Sequence, residues 1–156
     1  MSQRRRGSMT TKLSNPKDAV GVRKVPMSTV PAMVMLEVGN AMLEGACKYG
    51  RHNYRVVGVR SSVYYDAAMR HLMAWWEGQD IDPDSGCSHI VKAIAGLTVL
   101  RDAELNEMVT DDRPPKFNDA GRFVATLCEE AGGILDKYPE PKAAFTQIVK
   151  KDGLYD

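Results

Sequence analysis

STVPAMVMLEVGNAMLEGACKYG, residues 28–50, is the stretch that decides the fold class. Ser28 and Thr29 stand before Pro31, as at many helix starts, where proline's missing N–H costs nothing in the first turn. Val34, Met35, Val38, Met42 and Leu43 recur at helical spacing and Gly50 stops the run, which predicts a first helix over 30–49. Gly39 and Gly45 inside it each cost about 1 kcal/mol relative to alanine. Such a cost points to close helix packing or to backbone approach to a ligand.

Working outward, a loop from Arg51 to Arg60 leads to Ser61 and Ser62, candidate caps of a second helix near 62–77 that Gly78 ends. Asp82 and Pro83 read as cap and first residue of a third helix reaching about Met108, with a core stripe of Ile90, Val91, Ile94, Leu97 and Leu100. A linker, Asp111 to Pro115, precedes a fourth helix near 118–138, closed by Pro139 and Pro141. Upstream, Asn15-Pro16-Lys17-Asp18 opens a loop through Gly21, Lys24 and Pro26. Only Val56–Val59 alternates, too short a run to carry a sheet. The class is all-α, a helical bundle. A polar tail over 1–14, a core over 15–110 and a helical extension of the same domain over 111–156 are expected.

Composition bounds the function. The chain has 156 residues, 44% hydrophobic and 26% charged, with 21 basic against 20 acidic side chains. One domain of this length buries roughly two-thirds of its unfolded surface. A protein gripping long nucleic acid carries a basic excess, and here the one cluster, Arg4-Arg5-Arg6, sits in the polar tail. No apolar stretch reaches the roughly 18 residues of a membrane span. No nucleic-acid or membrane partner and a cytoplasmic location are expected. Cys47, Cys87 and Cys128 form no CxxC pair and read as reduced packing residues.

Helical phase groups the acids. Glu37 and Glu44 are seven apart and share a stripe, as do Asp66 and Glu77, eleven apart, with Arg70 between them. Asp80 and Asp82 follow, then His89. Amphipathic helices with solvated acids, and an Asp66–Arg70 pair, are the plain alternative. Like charges brought together raise one another's pKa unless a cation joins them, and hard oxygen donors suit Mg²⁺ or Mn²⁺. Glu129, Glu130 and Asp136 lack basic partners and are read as surface.

Lys48-Tyr49-Gly50-Arg51-His52-Asn53-Tyr54-Arg55 crowds cations and aromatics onto a helix end and turn. Lys48, Arg51 and Arg55 there suit phosphates and Tyr49 or Tyr54 a base. Complementing the helix dipole explains Lys48 and Arg51 equally well. His71, beside Arg70, is open to three roles: general base, ligand or satisfied core histidine. There is no GxSxG elbow, P-loop or GxGxxG.

The ordered series Asn15-Pro16-Lys17-Asp18, Lys48-Tyr49-Gly50 with Asn53, Asp66-Ala67-Ala68 with Arg70-His71, then Glu77, Asp80, Asp82, Ser85-Gly86 and His89 resembles the phage-type dATP/dGTP diphosphohydrolases. These are MazG-like proteins, among them the MazZ enzymes of phages that replace adenine with 2-aminoadenine. The resemblance covers roughly residues 13–103. It implies a MazG/HisE-like all-α pyrophosphohydrolase core, a homo-oligomer (dimer or tetramer), and two or three Mg²⁺ or Mn²⁺ ions per site. Relatives hold metals with ExxE and ExxD motifs. Glu77-Gly-Gln-Asp80 reads as ExxD, whereas Glu37 is followed at the third position by Asn40 and the next acid is Glu44. A second register would place the helix pair over Asp66–Trp76 and Ser85–Leu100, making Asp66 and His89 the relevant positions.

The expected activity is metal-dependent cleavage of a purine (deoxy)nucleoside triphosphate, foremost (d)GTP, to monophosphate and pyrophosphate, serving phage nucleotide-pool remodelling. Glu37, Glu44, Asp66, Glu77 and Asp80 are the candidate metal ligands, and Glu44, Glu77 and His71 the candidate catalytic residues. Lys17, Asp18, Lys48, Tyr49, Arg51, Asn53, Arg55, Arg70 and His89 are the candidate nucleotide and phosphate contacts. Lys17 and Asp18 would read the base. The rival is a non-enzymatic helical binding module. An HD-type phosphohydrolase is disfavoured because no His-Asp dipeptide occurs.

Overall fold

The first long helix begins one residue past its proline and ends on its glycine. In a computed structural model describing residues 15–21 and 23–147, α2 spans Ala32–Tyr49. Gly50 closes it at φ +91°, its N–H donating to the Ala46 carbonyl at 2.9 Å. Glycine takes that left-handed backbone without strain. Thr29 is no cap. Its hydroxyl donates back to the Pro26 carbonyl at 2.8 Å, within a 3₁₀ turn over Met27–Thr29. Upstream, the expected loop contains a short helix, α1, Pro16–Gly21. The Asn15 side chain accepts from the Lys17 N–H at its start. The tail expected over 1–14 lies outside the described residues.

The second helix, α3, spans Ser61–Trp76. Ser62 lies in its first turn but does not cap it; Asp112, fifty residues on, does. Asp112 accepts from the Ser62 N–H at 2.9 Å and the Ser62 hydroxyl at 2.6 Å. What brings Asp112 there is a two-residue parallel pair, β1 Val59–Arg60 against β2 Val109–Thr110. The run that the sequence left without a sheet therefore contributes half of one rung-length clip. Gly58 makes the approach possible at φ +81°, where a Cβ would stand 2.7 Å from the Met108 carbonyl oxygen.

At the far end of α3, Gly78 at φ +94° turns the chain, and the Gln79 N–H donates to the Ala74 carbonyl at 3.0 Å. The third long helix does not begin at Asp82. Asp82 instead accepts from the Ser85 hydroxyl at 2.6 Å, the Gly86 N–H donates to the Asp82 carbonyl, and Ile81 pairs with Ser88 antiparallel. A side chain that closes its own turn competes with helix formation. Helix α4 starts only at His89 and runs to Leu105.

Helix α4 packs on both α2 and α3. Val38 and Ala41 of α2 meet Val91 and Ala95 of α4 in the core, with Met42, Cys87 and Ile94 against them. Ala68, Ala93 and Ala103 are buried too. A helix contacted on two sides buries small residues around its circumference, so the expected stripe of large ones fails in part: Leu97 is 47% exposed. The described residues are otherwise as expected, all-α apart from the short clip. The last helix, α5, Ala120–Asp136, belongs to a second unit that starts at Pro114, where Phe117 meets Phe123 at 5.5 Å. Among the described residues, no helix is long and apolar enough to cross a membrane.

Candidate active site

The C-terminal half of α2, the turn after it, and the facing sides of α3 and α4 enclose a cavity of about 490 Å³. That volume lies within the range of small-molecule sites. Basic groups on its wall are Lys48, Arg51 and Lys92, with one acid, Glu44; Tyr49, Tyr54 and Tyr64 supply rings, and the imidazoles are His52 from the turn and His71 from α3.

Glu44 sits between two ammonium groups. Its Oε1 accepts from Lys48 Nζ and its Oε2 from Lys92 Nζ, each at 2.5 Å. Lys48 also reaches Asp84 at 3.3 Å. Lys48 first, and Lys92 next, hold the Glu44 carboxyl below its ordinary range, while Glu44 raises Lys48. The site thus gathers cations with a carboxylate that keeps them in place. His71 is pushed below its ordinary value chiefly by burial, with Lys92, Arg70 and His89 adding to the effect and Asp82 opposing it. Neutral at pH 7, it is able to accept a proton. Burial also raises the Tyr64 hydroxyl.

Behind His71 lies His89, only 5% exposed, with the two Nδ1 atoms 2.8 Å apart. The His89 Nε2 is 3.2 Å from the Gln79 carbonyl oxygen. Ala41, Ala68 and Ala95 keep the remaining wall short, and Gly39 and Gly45 face the cavity as well. A Cβ on either glycine would meet nothing within 4 Å. Among the described residues, close helix packing therefore does not account for them.

Of the residues singled out in the sequence, Glu44, Lys48, Tyr49, Arg51, Asn53 and His71 line this cavity. Arg55 does not; its guanidinium holds Asp102 through two bonds of 2.7 and 2.6 Å, tying the turn after α2 to α4. His89 is the support of His71 rather than part of the wall. Glu37, Asp66, Arg70, Glu77 and Asp80 are exposed and outside the lining. Lys17 is exposed on α1, and the Asp18 side chain lies outside what is described. Among the described residues, no three of the His, Cys, Asp and Glu side chains come together as a metal-holding group.

Sequence reasoning missed Lys92, Tyr64 and Gln79. Lys92 left a signal: it is the one charge in the run His89-Ile-Val-Lys-Ala-Ile-Ala-Gly-Leu97. A lone ammonium in an apolar helix must find a partner or a ligand.

A protein-family model described as dATP/dGTP diphosphohydrolase, N-terminal, matches residues 14–113. A dATP/dGTP diphosphohydrolase of Salmonella phage PMBT28 is 30% identical over 90 residues, which cover 58% of this chain and 30% of that relative. This chain thus matches less than a third of that relative's length. No solved structure matches it.

Proposed function

The chain belongs to the dATP/dGTP diphosphohydrolase family through that family's N-terminal domain, and on this premise we propose that it hydrolyses purine deoxynucleoside triphosphates, foremost dGTP, to monophosphate and pyrophosphate. The observation that carries this is a single cavity presenting Lys48, Lys92 and Arg51 beside aromatic rings and a neutral histidine. The cations take the phosphates, and Tyr49 or Tyr64 stacks the base. A water oxygen adds to phosphorus, the bond bridging the α- and β-phosphates breaks, and pyrophosphate leaves with the bridging oxygen. The water's proton goes to His71 Nε2, since its Nδ1 is engaged by His89. Lys48 and Lys92 neutralise the charge that gathers on the departing pyrophosphate. No covalent intermediate on the protein is required. In a phage this reaction would remodel the purine nucleotide pool, as in the 2-aminoadenine route.

The family resemblance implies Mg²⁺ or Mn²⁺. Among the described residues one chain does not bring three such donors together, and turnover with and without the ion tests its requirement. Homo-oligomer formation is proposed too, supported by large apolar side chains left exposed on α2 and α3, among them Leu36, Met73 and Trp76 at 77%. Sedimentation of the purified chain checks it.

The deciding experiment incubates the full chain with each dNTP and NTP, with Mn²⁺, with Mg²⁺ and with EDTA, and measures pyrophosphate and nucleoside monophosphate. Release of both from dGTP, with loss in EDTA, is expected. The non-enzymatic binding module is favoured by the Glu44 carboxylate being already neutralised by two lysines. It predicts dGTP binding by calorimetry with no product across the panel.

A further inference from the structure

The contact between His71 and His89 admits a single proton. At 2.8 Å between the two Nδ1 atoms, two bare lone pairs repel and two N–H groups collide. One ring donates and the other accepts. Gln79 decides which. Its carbonyl oxygen only accepts, so the His89 proton facing it is on Nε2. In the neutral ring, His89 Nδ1 is then bare and accepts from His71 Nδ1–H. His71 is left with its lone pair on Nε2.

Backbone bonds hold the two supporting residues. Gln79 is fixed at the end of α3 by its N–H to Ala74, and His89, first residue of α4, donates its N–H to the Asp80 carbonyl at 3.0 Å. The Ile81–Ser88 pair ties together the ends of the loop between them. Neither residue lines the cavity, whereas His71 does. Resting on the reading of His71 as proton acceptor, we propose that Gln79 and His89 are positioning residues that fix His71 in its Nδ1–H tautomer and so leave Nε2 bare toward the cavity. The charged groups acting on His71 are Asp82 from the loop, Lys92 from α4 and Arg70 from α3. None of them touches its Nδ1, so the tautomer is set through His89.

Long-range proton–nitrogen NMR of the full chain with ¹⁵N-labelled histidine, recorded at neutral pH without nucleotide, tests this apart from turnover. His71 should show a protonated Nδ1 and a bare Nε2, and His89 the reverse. Gln79→Met, a substitution at an exposed position, should leave the fold intact and give His71 a mixture of both tautomers. The same variant should lower kcat by about twofold for an even mixture, with KM unchanged, because only the Nδ1–H tautomer offers a bare Nε2. A wild-type His71 protonated on Nε2, or a tautomer that Gln79→Met does not disturb, overturns the proposal. If the tautomers are as stated and His71→Asn keeps full turnover, the proton-acceptor reading fails instead, and with it the role given to Gln79.

Discussion

Replacing Gly39 and Gly45 by alanine separates two reasons for a glycine inside a helix. Both lie within α2, where alanine is favoured over glycine by about 0.8–1.0 kcal/mol per site. An added Cβ meets nothing within 4 Å at either position, so no steric term opposes that gain. Six residues apart, at about 1.5 Å rise each, the two sites are far enough apart to add within a few tenths of a kcal/mol. The double variant should gain about 2 kcal/mol, which in a unit of this size raises Tm by about 8–16 °C. Both glycines face the cavity, so the methyl groups occupy space the nucleotide needs, and KM for dGTP should rise by about tenfold. Calorimetry and steady-state kinetics on one preparation read both effects. A fall in Tm would mean that something outside the chain packs against these glycines. An unchanged KM would refute the ligand-approach account.

Gly58→Ala should act in the opposite direction. Left-handed backbone costs a non-glycine residue about 1–2 kcal/mol, before the contact at 2.7 Å with the Met108 carbonyl is relieved; urea titration checks it. Asp112→Ala should lower Tm by several degrees and leave the KM for dGTP near the wild-type value, because it uncaps α3 and does not line the cavity. Acid should weaken the fold at two points. Burial keeps folded His71 from taking a proton as the unfolded chain does near 6.5, so stability declines as pH falls below that value. Lys48 and Lys92 keep folded Glu44 ionised, so its contribution is complete above about 4.5 and lost below. Urea unfolding against pH should show the first decline, and His71→Gln should remove it. Proton acceptance by neutral His71 also predicts that kcat/KM falls on the acid side below 6.5 rather than above it.

The helices were legible where local chemistry decides them, and were misread where distant residues do. Gly50 and Gly78 end α2 and α3 as their lack of a Cβ allows. Asp82 carries the residue type of a cap, yet it bonds Ser85 and holds its own turn open, and that competition is invisible in a cap–proline pair. Asp112 capping α3 was beyond any local reading, because the parallel clip that delivers it joins residues fifty apart. The candidate site divides along the same line. The segment from Lys48 to Asn53 follows directly from a helix end and turn and reaches the cavity, whereas Arg55, two residues on, is turned away to Asp102.

Glu37 and Glu44 show how far periodicity goes. Seven residues apart, they share a stripe of α2, yet only Glu44 reaches the cavity. What Glu44 meets there is a pair of ammonium groups from two helices. Long lysines lose rotamer freedom when they bind phosphate, a cost of up to roughly 2 kcal/mol each. Bonds to Glu44 already restrict Lys48 and Lys92, so part of that ordering precedes the ligand. A triphosphate carries more negative charge than one carboxylate and can draw both ammonium groups toward itself while Glu44 still anchors them. The carboxylate is thereby of use to an anion site: it holds together two cations that would otherwise repel each other.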